Sequence, residues 1–181
     1  MNKIAQLIER IGSLQRSEMR RYALEHGLQM VHLEVLSYLH RCNRYSNTTQ
    51  SLSEFLGQTK GSISQTVGFL ETQGYLKRYQ DDKDKRIYHL ELLVKSKKLV
   101  EQFESSFYHE FEGLENISEK SLEGLLVKIQ KQHGLKSFGI CSTCRFNNNP
   151  SGKKFVCGLT GENLSTEEIQ THCRDHELIS L

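Results

Sequence analysis

Apolar residues recur along this chain first at a helical period and then, briefly, at the period of a strand. From residue 2 to 25 they fall at three- and four-residue steps, Ile4, Leu7, Ile8, Ile11 and Leu14, with Arg10, Arg16, Arg20 and Arg21 between or beyond them. That spacing predicts an amphipathic helix with a stop at Gly27. Its apolar stripe needs a partner, either its own domain or a second subunit. Residues 29–42 predict a second helix. Met30, Leu33, Leu36 and Leu39 lie on one side of it, and Val31, Val35 and Tyr38 widen the band, as in a central, well-buried helix. The polar run from Asn43 to Gln50 predicts a loop.

The stretch from Ser51 to Glu91 carries the densest signals. Ser51 and Glu54 have capping-box spacing and predict a short helix presenting Leu52, Phe55 and Leu56, ended by Gly57. Thr59 caps a further helix to about Gln73, with Gly74 just past its end. In that helix Ile63, Val67 and Leu70 must face the core. Thr59, Lys60, Ser62, Ser64, Gln65 and Thr66, near its N-terminal end, are suited to a major groove. They can hydrogen-bond base edges or phosphates without filling the groove with bulk. Alternation then takes over, in Tyr75 to Tyr79 and in Arg86 to Leu92, around a polar tip from Gln80 to Lys85. Lys77 to Arg86 holds five cations and three anions. Lys83, Lys85 and Arg86 are candidates for phosphate or a narrow minor groove, with Asp84 orienting Arg86.

Two more helices follow. Residues 94–112 repeat Leu99, Phe103, Phe107 and Phe111 every four residues, and Ser118 to Gln132 carries Leu122, Leu125, Leu126 and Ile129. The aromatic row predicts core, the second helix predicts dimer packing, and His109 and His133 are surface or packing histidines. The order helix, cap, helix, glycine, charged hairpin is that of a winged helix-turn-helix. In Leu52–Leu56, Lys60–Val67, Leu70–Leu76 and Asp81–Arg86 the sequence resembles the MarR family of winged-helix repressors, over roughly residues 2–133. The resemblance implies a homodimer joined through N- and C-terminal helices, with a recognition helix in each major groove and a wing at each minor groove. One departure is the run Leu92 to Lys98, which lacks the family's usual Thr and Gly before the next helix.

A net charge of +2 is too small to prove a nucleic-acid partner, so any basic footprint is local. Nothing approaches the run of about 18 apolar residues of a membrane helix, and the charged N-terminus is no signal peptide; a cytoplasmic location is expected. Four of five cysteines fall in Cys-x2-Cys-x12-Cys-x15-Cys: Cys141, Cys144, Cys157 and Cys173. In a reducing compartment this predicts one metal centre per chain rather than disulfides. Zinc and a [4Fe–4S] cluster both suit the set, zinc being the commoner occupant of small cysteine sites. His176, three residues after Cys173, is an alternative ligand. Phe138, Phe146, Phe155 and Val156 would shield the site, and Asn147 to Lys154, with Pro150 and Gly152, reads as a loop. A second capping box, Ser165 and Glu168, predicts a short helix running to about Cys173. Cys42 stands apart and reads as a buried free thiol.

The expected chain is therefore mainly α with a small β-wing. It has a dimerisation helix over residues 1–28, a winged helix-turn-helix over 29–93, dimerisation helices over 94–136 and a Cys-rich metal-binding extension over 137–181. The expected function is a repressor-type transcriptional regulator on palindromic operator DNA, open to a small-molecule effector in the cleft between dimer helices and wing domain. The tail would sense redox or metal state and act by changing the spacing of the two recognition helices. No hydrolase, nucleotide-binding or Rossmann fingerprint is present, and no enzyme activity is expected. The competing readings are a redox or electron-transfer module and a metal-dependent adaptor.

Overall fold

The computed structural model of the chain describes residues 2–109, 117–149 and 154–178. Helices α1 (Lys3–Glu25), α2 (Met30–Arg41), α3 (Thr49–Leu56) and α4 (Lys60–Thr72) come first. Strands β1 (Leu76–Gln80) and β2 (Tyr88–Leu92) follow, then α5 (Val94–Tyr108) and α6 (Glu119–Gln132). The tail holds β3 (Asn147–Asn148), β4 (Phe155–Cys157) and β5 (Asn163–Leu164), with 3-10 turns at Cys141–Thr143 and Glu168–Gln170. The predicted Phe111, Pro150 and Gly152 lie outside the described residues.

Helix α2 is the axis of the core. Leu33, Val35, Leu36, Tyr38 and Leu39 are buried on it, and they meet Leu52 of α3, Ile63, Val67 and Leu70 of α4, and Val100 of α5. The expected width of its apolar band is thus met by neighbours on several sides. Helix α1 behaves otherwise. Only Met19 and Ala23 are buried, while Ile4, Leu7, Ile8, Ile11 and Leu14 are all exposed. Helix α6 has no buried residue and exposes Leu122, Leu126 and Ile129.

Gly57 and Gly74 adopt φ of 64° and 68°, the left-handed conformation that a non-glycine residue enters only at a cost, and so end α3 and α4 where expected. Thr59 caps α4, its side chain accepting from the Ser62 N–H at 3.2 Å. The cap of α3 differs from expectation. It is Thr48, whose hydroxyl accepts from the Ser51 N–H at 3.2 Å and lies 3.0 Å from the Ser51 hydroxyl. Both residues can cap, and extended dihedrals at Thr48 start the helix a turn earlier, placing Ser51 inside it. Helix α5 opens without a side-chain cap. Instead Ser96 donates to the carbonyls of Tyr75 and Leu93, and Lys95 Nζ reaches the Gln73 carbonyl at 2.5 Å. These long-range bonds replace the missing Thr–Gly opening.

In the tail the second capping box forms: Ser165 N–H donates to Glu168 Oε2 at 2.8 Å and Glu168 N–H to Ser165 Oγ at 3.2 Å. The helix it opens stops after a single 3-10 turn, short of Cys173, because the next residues pair elsewhere. His172 N–H donates to the Arg41 carbonyl at 2.8 Å, Asn43 N–H to the His172 carbonyl at 2.9 Å, and Cys173 N–H to the Gly139 carbonyl at 2.9 Å. Phe138 also serves the main core. It is buried in the main core, edge-on to Tyr38 and Phe55 with centroids 6.1 and 5.2 Å away, and holds φ of 47° to get there. The tail therefore docks on the end of α2, the loop after it and α3.

Candidate functional site

The outer face of α4 follows from its inner one. With Ile63, Val67 and Leu70 buried, Lys60, Ser62, Ser64 and Gln65 are exposed, as is Thr59 before them. The exception is Thr66, which is buried and donates to the Ser62 carbonyl at 3.0 Å. Standing three residues after Ile63 and one before Val67, it falls on the core side and cannot offer its hydroxyl to a base. Phe69 stacks on His32 with centroids 4.3 Å apart, closing the C-terminal end of this face.

The hairpin is built around Asp81. Its Oδ1 accepts the N–H groups of Lys83 and Asp84, each at 2.8 Å, and its Oδ2 lies 3.0 Å from His89 Nε2. Those bonds hold the Asp81 carboxyl down at about 2. His89 is buried, and its other ring nitrogen lies 2.5 Å from Asn47 Oδ1. A sequence sign of this inward role is the aspartate eight residues before it across a tight turn. Asp84 grips Arg86 as expected, with Nη2 to Oδ2 at 2.7 Å and Nε to Oδ1 at 2.9 Å, and the Arg86 side chain is 90% exposed. Lys85 is exposed, 3.9 Å from Asp82. Lys83 is the surprise: its Nζ donates at 2.6 Å to Glu162, a residue of the tail.

That contact belongs to a set. Glu162 also accepts from the Tyr45 hydroxyl at 2.7 Å and from Arg44 at 3.2 Å, and Arg44 pairs with Glu168 at 2.8 Å. With Lys83 as the largest cause, the Glu162 carboxyl is held down at about 2. Arg174 grips Glu54 of α3 with two bonds, at 2.5 and 2.8 Å, which hold that carboxyl at about 2 as well. Arg174 N–H donates to Ser46 Oγ at 2.9 Å. None of these partners was visible in local pattern.

Cys141 and Cys144 are buried and share one turn, with the Cys144 N–H on the Cys141 carbonyl at 3.0 Å. Cys157 lies on β4 opposite Asn147, and Cys173 follows the extended pairing of His172. The Cys141 thiol lies within electrostatic range of Cys173, Cys144 and Cys157, and burial first, then these neighbours, push it up to about 11. Among the described residues no three histidine, cysteine or carboxylate side chains are drawn together tightly enough to hold a metal ion as they stand. His176 is buried, and both its ring nitrogens meet hydroxyls: Nδ1 with Ser137 at 3.2 Å and Nε2 with Thr143 at 2.9 Å. Cys42 is a free thiol at the end of α2, pushed up to about 12 by burial.

No helix among the described residues is long and apolar enough to cross a membrane. Comparison with curated protein sequences gave no match. Among solved structures, S. aureus MepR in its DNA-binding conformation is similar at a TM-score of 0.61 and 22% identity, covering 74% of this chain and 98% of MepR. A MepR–DNA complex gives 0.55 and 21% over the same shares. CouR from Rhodococcus jostii RHA1, bound to p-coumaroyl-CoA, gives 0.56 and 18%, covering 72% of this chain and 92% of CouR. The chain shares the fold of these proteins over nearly three quarters of its length, and residues 26–87, its winged-helix segment, match the model of the MarR family.

Proposed function

We propose that this protein is a DNA-binding transcriptional regulator of MarR type, a cytoplasmic homodimer that acts as a repressor on palindromic operator DNA. One observation carries the reading: α4 turns Thr59, Lys60, Ser62, Ser64 and Gln65 to solvent, beside a hairpin whose Arg86 is preset by Asp84. Small polar side chains at a helix N-terminal end read base edges, and a braced arginine reaches phosphate or minor groove. The exposed stripe of α1 and the exposed Leu122, Leu126 and Ile129 of α6 support the homodimer. Apolar rows of that length stay in water only where a second surface covers them. The tail adds a place where metal or redox state enters, through a zinc ion or iron–sulfur cluster. A small-molecule effector has room in an open groove of about 640 Å³ between α6 and the tail, lined by Val127, Leu135, Arg145, Arg174 and Leu178 among others.

The test is selection of duplexes from a random pool with the full chain, followed by titration against salt. A palindrome with half-sites about one helical turn apart is expected, with a salt slope of several charges. Arg86→Ala should lower the slope by about one and weaken binding across sequences. The reading fails if no duplex is preferred and Lys83→Ala/Arg86→Ala changes nothing.

A further inference from the structure

The wing tip is nearly matched in charge from its own residues. Asp81 to Arg86 holds three cations and three carboxylates. Asp81 meets two backbone N–H groups and His89, Asp84 grips Arg86, and Asp82 lies 3.9 Å from Lys85. Lys83 takes its carboxylate from outside the wing. Glu162 of the tail, 79 positions away, accepts from its Nζ at 2.6 Å.

Glu162 is held in place by groups other than Lys83. Its N–H donates to Thr160 Oγ1 at 3.3 Å, and its carbonyl accepts the Cys157 N–H at 2.9 Å. Gly161, in the same tight turn, holds φ of 71°, a left-handed conformation that glycine enters freely. The carboxylate also accepts from the Tyr45 hydroxyl at 2.7 Å and from Arg44 at 3.2 Å, both in the loop after α2. Arg44 in turn donates to the Asn163 carbonyl at 3.1 Å, tying that loop to the tail. The tail therefore carries a fixed anion to the wing tip. With Glu162 there, four carboxylates face three cations, the reverse of what a phosphate backbone attracts. Lys83 is 83% exposed, so the pair is open to exchange. It acts as a competitor that phosphate can displace, not as a lock.

We propose, resting on the DNA-binding reading above, that the Glu162 carboxylate stands in for a DNA phosphate on Lys83, so that the docked tail is an intramolecular competitor that lowers the affinity of each wing for duplex.

The test compares the full chain with Glu162→Gln, Lys83→Ala and the double variant. Glutamine keeps an acceptor for Tyr45 and Arg44 and removes the charge. Without DNA, Lys83 is labelled with an amine reagent and read by mass spectrometry. Labelling should quicken in Glu162→Gln, and an unchanged rate overturns the pair. Each form is then titrated with a random-sequence duplex and with the selected palindrome between 50 and 200 mM salt. Glu162→Gln should bind more tightly and steepen the salt slope by about one charge per wing, an extra loss of about threefold per wing across that range. Lys83→Ala should lower the slope less in the native chain, where the lysine is occupied, than in Glu162→Gln, where it is free. Equal gains from Glu162→Gln with and without Lys83 overturn the competition, because they place the effect in general charge and not on this lysine. Quickened labelling with no binding of any duplex by any form overturns the DNA-binding reading and the competition with it. Binding that is equal in the native chain and Glu162→Gln overturns the competition alone.

Discussion

Removing the Phe138 ring tests how the tail is anchored. The side chain is 7% exposed and meets Tyr38 and Phe55 edge-on. Cutting such a ring back to alanine costs about 3–5 kcal/mol, the aromatic contacts included. The backbone adds a second prediction. Phe138 holds φ of 47°, where a residue bearing a Cβ carries about 1–2 kcal/mol of strain and glycine carries none. Alanine keeps that strain and glycine sheds it. Phe138→Gly should therefore equal or exceed Phe138→Ala in stability, by up to about 1 kcal/mol, the reverse of the usual order. The assay is urea unfolding at one fixed protein concentration, since a dimer's midpoint depends on concentration. With a slope of about 2 kcal/mol per molar, Phe138→Ala should lower the midpoint by roughly 1.5–2.5 M. A loss under about 1 kcal/mol would refute the anchoring, because a buried ring cannot leave so cheaply. Alanine clearly more stable than glycine would refute the strain.

Three further outcomes follow from single contacts. Thr48→Ala should cost about 1 kcal/mol by thermal unfolding, while Ser51→Ala, inside the helix, should cost less; the opposite order would return the cap to Ser51. Leu7→Lys with Ile11→Lys should shift the protein to monomer in sedimentation without unfolding the winged helix, and an unchanged mass would remove α1 from the dimer. Glu54 and Glu162 are both held at about 2 against an ordinary 4.5, so their pairs are fully formed above pH 4.5 and lost as pH falls towards 2. Tail amides should then lose hydrogen-exchange protection near pH 2, after correction for the intrinsic pH dependence of exchange, and keep it above 4.5; equal protection at both would count against the clasp.

The helix-turn-helix was legible in the sequence because each of its signals is local. Thr59, Gly57 and Gly74 act through backbone geometry within a few residues, and the burial of Ile63, Val67 and Leu70 follows from one helical period. Thr66 was legible too, had the same period been applied to it. Thr48 against Ser51 was not, since a cap rule cannot choose between two capping residues a turn apart. The tail's anchors were beyond any local rule. Lys83 and Glu162 are 79 positions apart and Arg174 and Glu54 are 120 apart, and nothing in the intervening pattern couples them.

Those anchors also decide how a signal from the tail would travel. The expectation from chain order was a route through the dimer helices, because the tail follows α6. One bond does run that way, from Gln130 Nε2 to the Ser137 carbonyl at 2.9 Å. The route into the winged helix is broader: Phe138 in the core, Arg174 on α3, His172 on the end of α2, Glu162 on the wing. The two routes have different physical outputs. Moving dimer helices changes the distance between recognition helices, and so the operator spacing that fits. Moving Glu162 changes how many cations one wing offers, and so affinity and its salt dependence at unchanged spacing. An ion pair on a lysine 83% exposed is worth little. On the proposed function its effect on DNA would be larger than that stability, because it occupies a charge that phosphate would otherwise meet. On the proposed DNA-binding reading, the tail would bear on binding strength, with the choice of site left to α4.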